Sequence, residues 1–260
     1  MFRQFIILNF LSFFILIGML NGQTIVNTEN LTSQTTKGFN LGMEINFDLE
    51  KGNADVMEID GKSLIGYEND HQSIYLLTGV KYLSESNNEV ISRKFIHLRH
   101  NYFFTRDIRS FSFYQLQRNN TLLLKRRQLI GAGLRKIFKL ADSLSIDFGT
   151  GLMYEMETLN KRDTVNHEGS DKSAARLANV ASIVYKLSGN LSLKDALYLQ
   201  PDVTQLNDFR FLNELSLSVA LKKYLLLSIS TVWRYDSKPP LNLEKNDISI
   251  HTGIVFNFHQ

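Results

Sequence analysis

Charged and imidazole side chains recur on alternate positions along several stretches of this chain, and these residues could do chemistry. Successive residues of a strand point to opposite faces, so this spacing predicts one shared, enclosed polar surface. Both signs of charge are present. Two roles are open: salt-bridged struts that keep a narrow interior from collapsing, or a path for a small solute or ion. The predicted surface consists of Arg93, His97, Arg99, Arg135, Asp147, Glu155, Lys194, Arg210, Glu214, Arg234 and Asp236.

Lipid hydrolysis by a serine that a histidine activates is a second chemistry to weigh. Membrane hydrolases of this kind keep the two residues close together on one strand. The candidates are His97 and His251, and neither is followed by a serine two residues later. The scattered His71, His100 and His167 give no spacing suited to a metal site. We therefore predict no catalytic residue, no metal and no cofactor, and a protein that is not an enzyme.

The elements that must position these residues are strands. In the stretch 39–50, Phe39, Leu41 and Met43 alternate with polar residues, a pattern that would spread apolar side chains all round a helix. The same alternation recurs and predicts about twelve strands, an even number as in single-chain bacterial barrels. They span about 39–50, 55–67, 72–83, 90–105, 110–118, 125–138, 143–157, 174–187, 191–201, 209–221, 224–236 and 247–258.

The last strand is similar to the closing strand of outer-membrane barrels. It is amphipathic and ends on Phe256 and Phe258, although two residues follow the last phenylalanine. Such a strand is read by the barrel-insertion machinery and pairs with the first strand. The predicted connections also alternate, at about two to four residues after even-numbered strands and about five to sixteen after odd-numbered ones. Short periplasmic turns and long external loops are typical of these barrels.

Alternation by itself also fits a soluble, lipocalin-like barrel with its apolar face inward. Strands long enough to cross a bilayer when tilted, alternating loop lengths and aromatic residues near strand ends favour apolar side chains turned to lipid. The aromatic residues are Tyr67, Tyr82, Tyr102, Tyr154, Tyr224, Trp233 and Tyr235. The predicted fold class is therefore all-β: a single antiparallel up-and-down transmembrane β-barrel.

Four glycines, at positions 131, 133, 149 and 151, call for comparison with a phosphate-binding loop. Phosphate motifs require a following helix, whereas these glycines share one parity of the predicted strands. They are predicted to be small lumen residues that leave room for bulky neighbours.

The composition and the N-terminal residues limit which other classes of protein are possible. There is no cysteine, and the formal net charge is only +3, so neither a disulfide scaffold nor a nucleic-acid surface is expected. Arg3 precedes an apolar run over 5–20, which predicts a signal peptide at 1–22. A polar periplasmic tail is expected at 23–37 and the barrel at 38–260. Past the signal peptide, no stretch is apolar for long enough to form a spanning helix.

Two parts of the chain resemble a known family. Residues 127–157 contain Gly-Ala-Gly-Leu at 131–134, and residues 197–258 contain Asp-Phe-Arg at 208–210 and Tyr-Asp-Ser-Lys-Pro-Pro at 235–240. These stretches resemble the YdiY-like outer-membrane proteins, a domain family of unknown function described as salt-induced. The resemblance implies a barrel in the outer membrane of a Gram-negative bacterium. It implies no established activity, so no functional residue is transferred.

The sequence leaves three functions open. The first is an outer-membrane barrel acting as a small passive channel or in envelope stress. The second is a lipid-modifying enzyme. The third is a structural or adhesive barrel that acts through external loops such as 160–171. The expected partners are outer-membrane lipids, the insertion machinery and a small solute or ion, but no nucleic acid.

Overall fold

A computed structural model describes residues 35–50, 56–85, 88–159, 171–239 and 243–259. The predicted signal peptide, most of the predicted tail and the external loop at 160–170 lie outside these residues. Across the described ranges the regular elements are β-strands. No helix in this part of the chain is long and apolar enough to cross a membrane.

Thirteen β-segments are present in the described residues. They are β1 Gly38–Glu50, β2 Val56–Glu68, β3 Gln72–Glu85, β4 Asn88–Phe103, β5 Ile108–Asn119, β6 Leu124–Ala141, β7 Leu144–Leu159, β8 Asp171–Leu177, β9 Asn179–Lys186, β10 Leu191–Pro201, β11 Phe209–Lys222, β12 Leu225–Asp236 and β13 Asn246–His259.

β8 and β9 are two parts of one strand. Both pair with β7 in a single register, in which Leu152 faces Leu177 and Gly149 faces Val180. Between the two parts, the Ala178 N–H donates to the Gly151 carbonyl at 2.9 Å. The thirteen described segments therefore make twelve strands, as predicted. The predicted strand at 174–187 begins three residues earlier, at Asp171.

The sheet closes on itself. Each strand pairs antiparallel with its neighbours along the chain, and β6 pairs with β7 to link the two halves. β1 pairs with β13, with Leu41 opposite Phe258 and Ile45 opposite Ile254. The predicted pairing of the last strand with the first is confirmed. The fold is a closed antiparallel barrel without an open sheet edge, as predicted.

The connections distinguish the two ends of the barrel. At the turn end, the segments between strands are 69–71, 104–107, 142–143, 187–190 and 223–224. At the opposite, loop end they are 51–55, 86–87, 120–123, 160–170, 202–208 and 237–245. The predicted alternation of short and long connections is wrong at 86–87 and at 120–123. β3 and β4 extend past their predicted ends through a register shift, with Glu85 opposite Asn88.

The outer surface of the barrel is apolar. Large apolar side chains on this face are exposed, among them Ile130 at 54%, Leu134 at 56% and Leu152 at 60%. Monomeric soluble proteins rarely expose contiguous apolar patches of this extent. Outward aromatic residues stand near both ends, with Tyr67 at the turn end and Tyr235 at the loop end. This is the surface that a transmembrane barrel presents to acyl chains and head groups.

Inward positions are not uniformly polar. Leu64, Tyr75, Leu77 and Val255 form a buried cluster inside the lumen near the turn end, with Phe95 packed against it. Apolar side chains therefore fill part of the lumen between the charged groups, and they reduce the space that is left for water.

Glycines opposite inward aromatic rings let those rings lie against the wall. Gly79 pairs with Phe95, and Gly131 pairs with Phe113. A Cβ at Gly79 would lie 2.0 Å from the Phe95 ring, and one at Gly131 would lie 2.7 Å from the Phe113 ring. The prediction that Gly131 leaves room for a bulky neighbour is confirmed.

If the outward face of the barrel contacts lipid, a charged residue on that face should destabilise the protein more near the bilayer midplane than near the strand end. Ile254→Arg, on the outward face of β13, is expected to lower the free energy of unfolding by about 2–4 kcal/mol, because a guanidinium near the bilayer midplane is poorly solvated. Phe258→Arg, on the same face at the strand end, should cost only about 0–1 kcal/mol. Urea titration in phosphatidylcholine vesicles, followed by the fluorescence of the single tryptophan, Trp233, measures both. Equal costs at the two depths would contradict the assignment.

Candidate functional site: the barrel lumen

The strand registers place every polar residue predicted from the sequence on the inward face of the barrel. Three groups emerge. Glu155, Arg210 and Asp236 meet near the loop end, Arg135 and Asp147 meet near the turn end, and the others lie between. The remaining residues are Arg93, His97, Arg99, Lys194, Glu214 and Arg234.

A buried carboxylate that three arginines approach lies at the centre of the loop-end cluster. Glu155 Oε2 accepts a hydrogen bond from Arg176 Nε at 2.7 Å, and Glu155 Oε1 lies 2.6 Å from Arg127 Nε. Arg210 also donates to Glu155. Glu155 is only 2% exposed and Arg127 only 1%. Since charges enclosed to this degree need charged partners, the three guanidiniums and the carboxylate stabilise one another.

Further carboxylates extend this cluster to neighbouring strands. Arg210 donates from Nε to Asp236 at 3.1 Å and from Nη2 to Glu157 at 3.2 Å. Arg176 donates to Asp208 at 3.0 Å. The cluster therefore joins β6, β7, β8, β11 and β12 across the lumen. The predicted strut role fits this geometry.

Sequence reasoning missed Arg127, Glu157 and Arg176 in this cluster. Arg127 and Glu157 share the inward parity of Arg135 and Glu155, respectively, so strand alternation was a usable signal for them. Arg176 lies in a part of the predicted eighth strand whose facing the sequence left unassigned.

The connection 202–208 carries Asp208 to the loop-end cluster. The Asp202 N–H donates to the Asp208 carbonyl at 2.8 Å, and the Val203 N–H donates to the Ala175 carbonyl at 2.9 Å. The Thr204 hydroxyl donates to the Asp202 carboxylate at 2.6 Å, which holds the pKa of that carboxyl below its ordinary value. These bonds fix the segment over the lumen mouth.

A second cluster lies at the turn end. Arg135 donates from Nε to Asp147 at 3.0 Å, and Arg109 donates to the same carboxylate. On the opposite wall, the Tyr75 hydroxyl donates to Glu68. By accepting from both arginines, the carboxylate of Asp147 links β5 and β6 to β7 at this end of the barrel.

The lumen is wide at its mouths and narrow in its middle. A cavity of about 250 Å³ lies at the turn end and one of about 300 Å³ at the loop end. Two middle cavities measure only about 60 and 90 Å³. The middle cavities therefore offer room for only a few water molecules each.

The two middle cavities differ in their lining. The smaller, which we call the neck, is walled by His97, Arg99 and Arg127 together with apolar side chains such as Phe113 and Leu129. His97 stacks on Phe113 with ring centroids 5.5 Å apart, and its Nδ1 lies 2.9 Å from the Gln115 amide oxygen. That oxygen is an acceptor, so Nδ1 carries the donated proton.

The larger middle cavity, which we call the side chamber, contains paired charges of both signs. Lys62 lies 3.3 Å from Glu44, Lys81 lies 2.5 Å from Glu58, and Arg234 lies 3.7 Å from Asp247. Arg93, Glu214 and His251 also line it. Three of the cations that line it are therefore paired with carboxylates.

His251, which lines this chamber, has a serine beside it. The Ser249 hydroxyl lies 3.1 Å from His251 Nε2. The sequence has no serine two residues after His251; this serine lies two residues before it, on the same inward face of β13. Within the described residues, no group of three metal-ligating side chains is close enough to hold an ion.

These observations define the class of protein: a porin-like transmembrane β-barrel with a polar, constricted lumen. The sequence profile of the family described as "Protein of unknown function, DUF481" matches residues 43–258. The chain belongs to this family, and the resemblance drawn from residues 127–157 and 197–258 agrees with it. No match was found among curated proteins.

Solved structures share the fold. An outer membrane channel from Pseudomonas putida F1 superposes with a TM-score of 0.54 at 12% identity, covering 90% of this chain and 100% of the channel. The NanC porin gives 0.53 at 9% identity, with 84% and 99% covered. The translocator domain of the autotransporter NalP from Neisseria meningitidis gives 0.51 at 11% identity, with 88% and 93% covered. At these identities the likeness concerns the fold alone.

Removing the central charge of the loop-end cluster should strongly destabilise the protein. Glu155→Gln should lower the free energy of unfolding by about 3–5 kcal/mol, because it leaves buried guanidiniums with too little negative charge. Asp208→Asn is the matched control, since its side chain is 20% exposed and meets only the edge of the cluster. It should cost about 1 kcal/mol or less. Urea unfolding in vesicles measures both, and similar small losses would contradict the strut role.

Proposed function

We propose that this protein is an integral outer-membrane barrel of a Gram-negative bacterium that lets small ions and solutes cross passively through a narrow lumen. The observation that carries the proposal is the shape and lining of that lumen. Polar cavities of about 250 and 300 Å³ lie at the two ends, and cavities of about 60 and 90 Å³ lie between them. A polar lumen with a narrow middle section selects permeants by size and charge.

The outer surface supports the membrane location. Apolar side chains cover the outward face, aromatic residues stand at both ends, and the backbone hydrogen bonds close around the barrel. Outer-membrane lipids are therefore its expected surroundings. The barrel-insertion machinery is the expected partner during assembly, through β13 with its outward Phe256 and Phe258.

The ion pairs that cross the lumen argue for small permeants. The buried charges of the loop-end cluster are cross-linked over five strands, so widening this part of the lumen requires breaking several ion pairs at once. The three pairs of the side chamber restrict that space similarly. Ions and very small polar solutes fit this geometry, whereas oligosaccharides do not.

A lipid-modifying enzyme is less well supported. The Ser249–His251 pair faces a chamber of about 90 Å³, which cannot admit an acyl chain. His97 lies against Gln115 and Phe113 in the neck. An adhesive role through the loop 160–171 concerns residues that are almost all outside the described ones, and no observation favours it.

Electrical recording tests the channel. The refolded barrel in planar bilayers should give discrete conductance steps in KCl, and vesicles containing it should not swell in an isotonic disaccharide solution. The control for folding is the change in electrophoretic mobility on heating that closed barrels show. Zero conductance from correctly folded protein, or rapid disaccharide uptake, would contradict the proposal.

A further inference from the structure

One sector of the outer surface at the loop end is basic. Lys94 of β4 lies directly opposite Arg118 of β5. Lys125 and Arg126 of β6 lie beside Arg118, where the register between β5 and β6 shifts. All four side chains are exposed. Strand alternation puts Lys94, Arg118 and Arg126 on the outward face, so their charges stand outside the lumen.

These side chains border a groove of about 480 Å³ on the outside of the barrel. Two apolar residues that pair with each other, one row closer to the turn end, complete its lining on that side. The groove is therefore basic toward the loop end and apolar toward the middle of the membrane. We call it the basic groove and define it by Lys94, Arg118, Lys125, Arg126, Ile96 and Leu116.

The cations of the basic groove have no carboxylate partner among the residues that the structure describes. The described lining contains no aspartate or glutamate. Along the same row of the sheet, the next acidic residue is Asp171 of β8, which Thr158 separates from Arg126. The inward Arg127, by contrast, is paired with Glu155. Because neighbouring like charges repel, an anion that enters the groove stabilises its cations.

Apolar rows continue from the basic groove toward the middle of the membrane. The first row holds Ile96 opposite Leu116, and the next holds Tyr114 between Leu98 and Ile130. Leu98 is 46% exposed and Ile130 is 54% exposed. Successive rows on one face of a sheet are about 7 Å apart, so a hydrocarbon chain that descends from the groove contacts both. The surface therefore matches an amphiphile with an anionic head and acyl chains.

We propose that the basic groove binds the phosphate groups of a phosphorylated glycolipid in the outer leaflet of the membrane. The inference rests on the membrane location in the proposed function, and not on conductance through the lumen. The loop end carries the longer connections, which are external in barrels of this kind. Arginine guanidiniums present paired N–H donors that match phosphate oxygens, and lysines add compact positive charge. Basic pockets at a membrane surface bind anionic head groups in this way.

The amount of positive charge indicates the kind of head group. The four cations are spread over three adjacent strands, a width of about 10 Å. A phospholipid with one phosphodiester supplies a single negative charge. Lipid A with two phosphate monoesters supplies about −3 to −4 at neutral pH, which balances most of the four cations. The bisphosphorylated glycolipid is therefore the better match.

Lipid retention by the purified barrel tests the class of ligand. The barrel is immobilised in nonionic detergent and equilibrated with lipid, and the retained lipid is quantified by mass spectrometry. Bisphosphorylated lipid A should bind at least about tenfold more tightly than dephosphorylated lipid A with the same acyl chains, because only the former makes charge-assisted hydrogen bonds. Millimolar inorganic phosphate should not displace it, since phosphate lacks the apolar contacts.

Three results would overturn the ligand. Equal affinity for the two forms of lipid A would show that the phosphates are not recognised. Displacement by millimolar inorganic phosphate would make the groove a site for the free anion. Equally tight binding of phosphatidylglycerol would remove the preference for the glycolipid.

Charge substitutions test the assignment to the basic groove. Arg118→Gln and Arg126→Gln should each weaken the binding of bisphosphorylated lipid A by roughly fivefold, the contribution of one basic residue at an anionic membrane surface. Arg118→Lys should retain most of the affinity. Lys136→Gln is the matched control, since Lys136 is exposed on the same face of β6 as Arg126 but lies at the turn end. It should bind as the wild type does.

Equal losses in Arg126→Gln and Lys136→Gln would overturn the location, as would wild-type affinity in both arginine variants. The heat-dependent change in electrophoretic mobility confirms that each variant is folded. Because retention does not depend on conductance, the two proposals can fail separately. A conducting barrel that does not distinguish the two forms of lipid A would overturn the groove alone. Selective retention by a barrel without conductance would support the groove and contradict only the channel.

Discussion

The closure of β1 onto β13 is the constraint on which the rest of the structure depends. In hydrocarbon, a backbone N–H or C=O without a partner costs several kcal/mol, so a spanning sheet cannot end in an open edge. The antiparallel pairing of Leu41 with Phe258 and Ile45 with Ile254 removes that edge. Once the ring is closed, strand parity is fixed around the whole circumference: one set of side chains faces outward, and the other is confined in the lumen.

Confinement explains why the inward charges are organised into clusters. A narrow closed bore brings side chains from strands distant in sequence within hydrogen-bonding range, and buried charges are stable only with partners. Glu155 is the clearest case, since its arginine partners come from β6, β8 and β11. Glycines opposite aromatic rings also affect how much of the lumen is filled. Gly79 and Gly131 allow Phe95 and Phe113 to lie against the wall, and the middle cavities remain open because of it.

The distribution of charge around the bore is uneven. Between positions 93 and 137, the inward side chains of the adjacent strands β4, β5 and β6 include arginines but no aspartate or glutamate, while β7 supplies Asp147, Glu155 and Glu157 beside them. The carboxylates of β7 therefore compensate arginines of the neighbouring strands: Asp147 pairs with Arg109 and Arg135, and Glu155 pairs with Arg127. In the side chamber, Lys62 and Lys81 pair with carboxylates of the adjacent strands.

The sequence alone determined the strand count, the inward parity of the charged residues and the pairing of the last strand with the first. The strand count and the parity follow from a period-two pattern that is local to each strand. The pairing was implied by the resemblance of the last strand to the closing strand of outer-membrane barrels. It did not determine that Arg210 would reach Glu155, 55 residues away, or that the lumen would narrow to a neck around Arg99 and Arg127. Only the tertiary structure decided those contacts, because strand tilt, register and barrel radius set the distances across the bore.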